Sequence, residues 1–244
     1  IECGTRHSPN NNFYGRRHGR TNNHLKTCII VTTFSATIDK EIIKDLPGSK
    51  FSGEIIIIDN TKDVSSAIKE LKQSEFVGFD TETKPTFKVG QHSKISLLQL
   101  ATQNKAFLFR LNMIGMNSSL KRYLENEQYT KIGLSVKDDF RALQDWMPCR
   151  PNNFIELQKY VQFFGIEEMS LRKIYAIIFG KRISKRERLS NWEAPTLSPE
   201  QIKYAATDAW ACIEIYNYLT SCINEVEEPP VSNLQYTIFS KKKR

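Results

Sequence analysis

The chain has 244 residues, 40% hydrophobic and 25% charged, a balance typical of one globular domain with tails. No apolar run approaches the roughly 20 residues of a membrane span, and the polar start lacks the apolar core of a secretory signal. We therefore expect a cytoplasmic protein without membrane contacts. Its five cysteines are scattered and include no Cys-x-x-Cys pair, so neither a zinc site nor a disulfide framework is indicated, and free thiols are favoured.

The formal net charge of +8 lies mostly at the two ends of the chain. Residues 1–30 carry a net +4 and residues 224–244 a net +1, which leaves +3 for the middle. Such charge is weak support for nucleic-acid binding, because basic tails are often only solvated. We predict a disordered basic segment at 1–30, a domain at 31–223 and a C-terminal tail with a basic end at 224–244. Whether residues 1–30 belong to the natural protein stays open.

Hydrophobic periodicity predicts alternating helices and strands between residues 38 and 222. A helix at 38–45, a strand at 54–59 and a helix at 61–72 come first. Three strands follow in succession, at 76–81, 94–101 and 106–110. Next come a helix at 118–126, strands at 130–135 and 153–156 around a helix at 138–146, and helices at 156–164, 170–179 and 198–222. This order predicts a mixed α/β sheet with helices on its faces.

The strand at 76–81 runs into two acids, Asp80 and Glu82, separated by one residue. Side chains at i and i+2 of a strand share a face, so two carboxylates lie together at the end of a buried strand. Like charges so close repel, and a bound cation relieves the repulsion. Acid-x-acid pairs are common by chance, however, and a solvated turn is the simpler explanation of this pair alone.

Another acid, Asp208, lies on the helix at 198–222, one turn after Tyr204. The Ser198-Pro199 start and Gln201 form a typical helix N-terminus. Small residues around Asp208 allow this helix to approach a sheet closely, and an acid in such surroundings requires a partner. A structural salt bridge explains Asp208 equally well.

Asp138 and Asp139 follow the strand at 130–135 and begin the next helix. Acids in a first helical turn interact favourably with the helix dipole, which explains Asp138. The other acid can still face the same cleft as Asp80.

Taken in order, the three segments resemble the three motifs of the DEDD superfamily of 3′→5′ exonucleases, in the branch with a motif III tyrosine. Asp80 and Glu82 match motif I, and Asp139 matches motif II. Tyr204-x-x-x-Asp208 matches motif III. The resemblance implies a ribonuclease H-like fold with a five-stranded mixed sheet flanked by helices.

The segments between the motifs also resemble the Werner-type exonuclease domain and ribonuclease D. This resemblance covers roughly residues 50–222. Ser96–Ala101 resembles the family's second strand, and Leu189–Trp192 resembles the segment before motif III. The sister branch carries a histidine five residues before the last aspartate. This chain has Lys203 there, and its only histidine outside the N-terminal segment is His92. Thr83 departs from the Werner-type domain, which has a bulky aromatic at that position.

The resemblance also implies a cofactor and a role for each acid. Two divalent ions, Mg²⁺ or Mn²⁺, suit a site of four carboxylates, because these ions prefer oxygen ligands. Asp80 would bridge both ions, Glu82 and Asp208 would complete the first, and Asp139 would hold the second. Tyr204 would orient the attacking water and the scissile phosphate.

Substrate contacts are less defined by the sequence. A basic segment before motif III either contacts phosphates or is a solvated loop; its cations are Lys181, Arg182, Lys185, Arg186 and Arg188. Trp192 either stacks on a base or belongs to the core.

Two rival functions remain. The first is a catalytically silent nucleic-acid-binding module, which is disfavoured because all five motif positions carry the residue of the family. The second is a metal-dependent phosphatase, which leaves Tyr204 without a role. For the exonuclease, the short chain after Cys222 favours DNA over ribonuclease D-like processing of RNA 3′ ends. Protein partners are not predicted.

Overall fold

A computed structural model of the chain describes residues 30–31, 34–86 and 93–224. The predicted segment 1–30 and tail 224–244 lie outside these ranges apart from Ile30 and Asn224, and His92 lies outside them as well. Within the described ranges, no helix has the length and apolar character needed to cross a bilayer.

The described residues form strands and helices close to the predicted ones. The strands are β1 Ile30–Val31, β2 Glu54–Ile58, β3 Phe76–Thr83, β4 Ile95–Ala101, β5 Lys105–Phe109, β6 Thr130–Gly133, β7 Phe154–Glu156 and β8 Ile223–Asn224. The helices are α1 Lys40–Asp45, α2 Val64–Leu71, α3 Leu111–Ile114, α4 Ser118–Leu124, α5 Val136–Leu143, α6 Leu157–Tyr160, α7 Leu171–Phe179 and α8 Pro199–Ser221. A short 3₁₀ helix at Val161–Phe164 directly follows α6, and another at Arg186–Leu189 lies between α7 and α8. The helix predicted at 156–164 is thus α6 plus a 3₁₀ turn, and α3 was not predicted.

The main sheet has the strand order β2-β5-β4-β3-β6-β7. Strands β3, β4 and β5 pair antiparallel, whereas β2 pairs parallel with β5, and β6 lies parallel to both β3 and β7. The predicted mixed sheet flanked by helices is confirmed. The expectation of five strands was wrong, because all six strand segments in the sequence pair in this sheet. Strands β1 and β8 form a separate antiparallel pair that joins the two ends of the domain.

Strand β3 places alternate residues on opposite faces of the sheet. Val77 and Phe79 are fully buried in a core shared with α2, α4 and α5. On the other face, Gly78 lies directly against α8. A Cβ atom added to Gly78 would stand 1.8 Å from the carbonyl oxygen of Ala209. The missing side chain therefore allows α8 to approach the strand that carries the motif I acids.

Helix α8 begins with the capping box that the sequence predicts. The Ser198 Oγ accepts a hydrogen bond from the Gln201 N–H at 3.1 Å, and the Gln201 Oε1 accepts one from the Ser198 N–H at 2.9 Å. Ala205, Ala206 and Ala209 are fully buried, which confirms the expected close approach of helix and sheet.

Lys131 in β6 is a fully buried lysine on the side of the sheet away from the motif acids. Its Nζ donates hydrogen bonds to the carbonyl oxygens of Asn126 and Tyr129, at 2.7 and 2.6 Å, and lies 5.0 Å from the Phe154 ring centroid. Burial lowers the pKa of the Lys131 ammonium to about 7. The fold therefore binds the proton of this lysine more weakly than the unfolded chain does.

The change Lys131→Met is expected to alter how stability depends on pH. Between the folded pKa of about 7 and the unfolded value of about 10.4, the unfolded chain binds more protons, so Lys131 makes wild-type stability rise with pH. Subtracting the free energy of unfolding of Lys131→Met from that of wild type should give a difference that increases by roughly 3 kcal/mol from about pH 7 to about pH 9.5. Urea unfolding at the two pH values measures this, with Lys62→Met, at an exposed turn, as the control. A difference that does not change with pH would contradict the prediction.

Candidate active site

Three of the predicted acids meet where β3 faces α8. Asp80 and Glu82 project from the same face of β3, and Asp208 projects from α8. One carboxylate oxygen from each of the three lies within 4.8 Å of the others. Glu82 and Asp208 are each only 8% exposed. The structure thus brings motif I and motif III into one buried group of carboxylates.

Asp139 lies beside this group, held from the opposite face of β3. The hydroxyl of Thr81, the residue between the two motif I acids, donates a hydrogen bond to the Asp139 carboxylate. Its neighbour Asp138 is exposed and pairs with Arg141 at 3.1 Å. Asp139 lies outside the group whose oxygens fall within 4.8 Å of one another, but the charge of Asp80 acts on its carboxyl.

The start of α5, which carries Asp139, is fixed by a buried acid. The Glu156 carboxylate accepts hydrogen bonds from the N–H groups of Ser135, at 2.9 Å, and Val136, at 3.0 Å. Ser135 adopts a left-handed conformation with φ of 60°. Glu156 thus supplies the acceptor that stabilises the tight turn between β6 and α5.

Tyr204 lies one helical turn before Asp208 and is 7% exposed. Its hydroxyl donates a hydrogen bond to the Asp208 carboxylate. Burial, and then the charge of Asp208, raise the pKa of Tyr204 above its usual value. Tyr204 therefore keeps its proton at neutral pH.

The carboxylates perturb one another strongly. Burial, followed by the charges of Asp80, Asp208 and Asp139, raises the pKa of Glu82 to about 10. Burial also raises the pKa of Asp208 to about 7, despite the opposing hydrogen bond from Tyr204. Asp80 and Asp139 have raised pKa values too, chiefly through burial. The close group of Asp80, Glu82 and Asp208 offers only oxygen ligands, which fits a divalent metal ion.

These shifts predict that the metal-free protein loses stability as pH rises. An acid whose pKa is higher in the folded state makes folding most favourable below its unfolded pKa, and this stability is lost as pH climbs to the folded pKa. For Asp208 the window extends from about 4 to about 7, and for Glu82 from about 4 to about 10. In chelator, the melting temperature should be at least about 5 °C lower at pH 8 than at pH 5. Saturating Mn²⁺ should reduce this difference, and equal melting temperatures in chelator would contradict the prediction.

Cations share the cavity with the carboxylates. Arg172, Lys185 and Arg188 line a cavity of about 340 Å³ together with Asp80, Glu82, Tyr204 and Asp208. A second cavity, of about 640 Å³, adjoins it through Tyr204 and Asp208. The predicted substrate contacts Arg182 and Arg186 line this second cavity, whereas Lys181 is absent from the lining of both.

Trp192 is a core residue, which agrees with the second of the two alternatives that the sequence left open and not with stacking on a base. Its side chain is 0% exposed and packs on Tyr204, with ring centroids 5.9 Å apart. The following loop is held by Arg110, whose guanidinium donates hydrogen bonds to the carbonyl oxygens of Ala194 and, at 3.0 Å, Pro195. Trp192 thus packs against Tyr204 within the core, and neither face of the Trp192 ring is accessible to a substrate.

Several residues of the site were missed by the sequence reasoning. Thr81 and Glu156 position Asp139, and Arg172 lines the carboxylate cavity. Gln99 pairs with Asp80 across the β3–β4 ladder and is 0% exposed, and neither polar atom of its side-chain amide has a partner among the described residues. A glutamine inside the apolar strand Ile95–Ala101 was the one available signal.

The change Thr81→Val is expected to weaken the site by releasing Asp139. Valine has the same shape as threonine but cannot donate the hydrogen bond to the Asp139 carboxylate. Residues that orient a ligand in this way typically change metal affinity or activity by about 10- to 100-fold. Manganese binding, followed by electron paramagnetic resonance, should weaken in Thr81→Val and recover in Thr81→Ser. Equal weakening in both variants would show that the hydroxyl does not position Asp139.

Residues 55–224 match the family model described as 3′-5′ exonuclease. The match covers more than half of the chain and includes all five motif residues. The chain therefore belongs to the 3′-5′ exonuclease family. Enzymes of its DEDD superfamily use divalent metal ions, and the acidic cluster of this chain is of the matching kind.

Individual relatives agree with this assignment. The mouse bifunctional 3′-5′ exonuclease/ATP-dependent helicase WRN is 30% identical over 200 residues, which is 77% of this chain and 14% of that protein. The exonuclease domain of Nibbler from Aedes aegypti has a TM-score of 0.63 at 22% identity, covering 72% of this chain and 92% of that one. Trypanosoma brucei ribonuclease D in complex with RNA U12 has a TM-score of 0.64 at 19% identity, covering 82% and 70%.

These solved structures share the fold of the chain. The chain spans 14% of mouse WRN and 45% and 27% of two further curated relatives, so its similarity to these proteins concerns one part of each of them.

Proposed function

We propose that this chain is a metal-dependent 3′→5′ exonuclease that hydrolyses phosphodiester bonds from the 3′ end of a nucleic-acid strand. The observation that supports this most strongly is the group formed by Asp80, Glu82 and Asp208, with carboxylate oxygens within 4.8 Å of one another. Asp139 interacts with this group through the charge of Asp80. Tyr204 interacts with it through a hydrogen bond to Asp208. Membership of the exonuclease family supports the same function.

Each motif residue has a role in this proposal. When bound, two divalent ions, Mg²⁺ or Mn²⁺, supply an activated water and neutralise the charge that develops on the phosphate. Asp80 would bridge the two ions, Glu82 and Asp208 would complete the first, and Asp139 would hold the second. Tyr204, protonated at neutral pH, would donate a hydrogen bond that orients the attacking water.

DNA is the substrate we propose first, following the resemblance to the Werner-type exonuclease domain. RNA is the second candidate, because a structural relative, the ribonuclease D of T. brucei, was solved in complex with RNA U12. Lys185 at the carboxylate cavity, and Arg182 and Arg186 at the adjoining cavity, are proposed to contact the strand through its phosphates. The role of Lys181 and the cytoplasmic location remain predictions.

The test is to incubate one oligonucleotide sequence, as DNA and as RNA, with the protein and Mg²⁺ or Mn²⁺. A 5′-labelled strand should shorten in single steps, while a 3′ label should appear at once in a mononucleotide. The preferred polymer identifies the substrate. Internal cuts, or shortening from the 5′ end, would contradict the proposal. Binding of the strand without any cleavage would favour the silent binding module.

A further inference from the structure

Arg172 and two neighbouring cations form a group without carboxylate partners beside the proposed catalytic acids. Arg172 is the second residue of α7, and Lys185 and Arg188 belong to the segment around the 3₁₀ helix Arg186–Leu189. All three line the cavity that holds Asp80 and Asp208. We call this set the cation triad.

The cation triad lacks direct ion pairs in the described part of the chain. No carboxylate oxygen lies within 4.0 Å of a side-chain nitrogen of Arg172, Lys185 or Arg188 among the described residues. The Arg172 Nε is buried and has no hydrogen-bond acceptor in the part of the chain that the structure describes. A buried guanidinium N–H without an acceptor is unfavourable, so this side chain has an unused capacity to bind an anion.

The three cations also oppose one another. After the larger effect of burial, the charges of Arg188 and Arg172 lower the pKa of the Lys185 ammonium. The carboxylates of the cavity offset part of this repulsion from a distance, since the charge of Asp208 acts on Lys185 and that of Arg188 acts on Glu82. Two divalent ions would neutralise the four carboxylates and leave the triad as net positive charge. A phosphate group supplies the complementary negative charge.

We propose that the cation triad, anchored by Arg172, binds the phosphodiester group next to the one that is cleaved. This inference rests on the proposed exonuclease function and assigns a second phosphate site to it. The scissile phosphate would bind at the carboxylates and their ions, so the triad, which lines the same cavity, would receive the neighbouring phosphate of the strand. Arg172 is the anchor because it is half-buried on a helix and its Nε is fully buried, whereas Lys185 and Arg188 belong to a more exposed segment. Its planar guanidinium can donate two hydrogen bonds to one phosphate.

Substrate length tests this assignment directly. A dinucleotide with a free 5′-hydroxyl contains only the scissile phosphodiester, whereas a trinucleotide also contains its neighbour. Wild type should prefer the trinucleotide in kcat/KM, and Arg172→Gln should reduce that preference, taken as the ratio of the two kcat/KM values within each protein, by about tenfold. Arg150→Gln, an exposed arginine outside both cavities, is the matched control. An unchanged preference in Arg172→Gln would overturn the proposal.

Binding without catalysis provides a second readout. In chelator, Arg172→Gln should bind fluorescein-labelled single-stranded DNA about tenfold more weakly, and the slope of log Kd against log salt should fall by about 0.7. Arg172→Lys should keep the slope but lose part of the affinity. If Arg172→Gln does not fold, Lys185→Gln on the exposed segment replaces it with the same expected effects. If wild type cleaves neither the dinucleotide nor the trinucleotide, the exonuclease proposal fails. Equal binding of DNA by wild type and Arg172→Gln would separately overturn the proposed phosphate site.

Discussion

The variant Asp80→Asn is expected to lose at least about a thousandfold in exonuclease rate, because it removes the proposed shared ligand of both metal ions. Stabilisation of charge by a bound metal ion is worth several kcal/mol, and each 1.36 kcal/mol is a factor of ten. Asparagine keeps the size of the side chain, so the loss should not reflect altered packing. Single-turnover cleavage of a 5′-labelled strand in Mg²⁺ measures the effect.

The same variant should be more stable than wild type when metal is absent. Asp80 is buried against Asp208, and both burial and that charge raise the pKa of the Asp80 carboxyl. Replacing it with a neutral amide removes the repulsion, so the melting temperature in chelator should rise by roughly 3 °C. Asp138→Asn, at the exposed neighbour of Asp139, should keep the wild-type rate and should not raise the melting temperature, because it removes an ion pair with Arg141 rather than a repulsion. An Asp80→Asn protein that is both active and no more stable would contradict the proposed metal site.

Gly78→Ala is expected to damage stability and activity together. The new Cβ would overlap the backbone of Ala209, a contact that a side-chain rotation cannot relieve. Helix α8 must therefore shift away from β3, and it carries Tyr204 and Asp208 with it. Overpacking of this kind costs about 1–3 kcal/mol, and a displacement of about 1 Å in a catalytic group can cost about a hundredfold in rate.

Urea unfolding and the cleavage assay measure the two effects of Gly78→Ala. Gly48→Ala is the control for stability, because a Cβ added to Gly48 meets no atom within 4 Å. Wild-type activity in Gly78→Ala would show that the spacing between β3 and α8 does not position Asp208.

The local parts of the fold could be predicted because they depend on neighbouring residues. Alternation and helical periodicity in apolar side chains located the strands of the sheet, and Ser198 with Gln201 located the start of α8. The approach of α8 to β3 also followed from its alanines. The number of strands in the sheet did not follow from the family resemblance, because it depends on the pairing of β2 with β5.

The acids of the site could be predicted from their order and spacing, but their supporting residues could not. Thr81 belongs to the opposite face of β3, and only the position of α5 brings Asp139 to its hydroxyl. Arg172 lies far from every motif in sequence, and its place in the cavity depends on the packing of α7. The burial of Trp192 likewise depends on the loop that Arg110 holds. Each of these features is set by tertiary contacts that no local pattern records.

The most direct test of the account is whether a metal ion contacts the scissile phosphate at the 3′ end. An oligonucleotide with a single phosphorothioate at its 3′-terminal linkage should resist cleavage in Mg²⁺, because this hard ion binds sulfur poorly, and the softer Mn²⁺ should restore cleavage. The same strand with the phosphorothioate at its 5′ end should lose its first nucleotide at the normal rate in either metal. This pattern is the result that the account predicts. Cleavage in chelator, or equal rates for the 3′-terminal phosphorothioate and phosphate linkages in Mg²⁺, would contradict it.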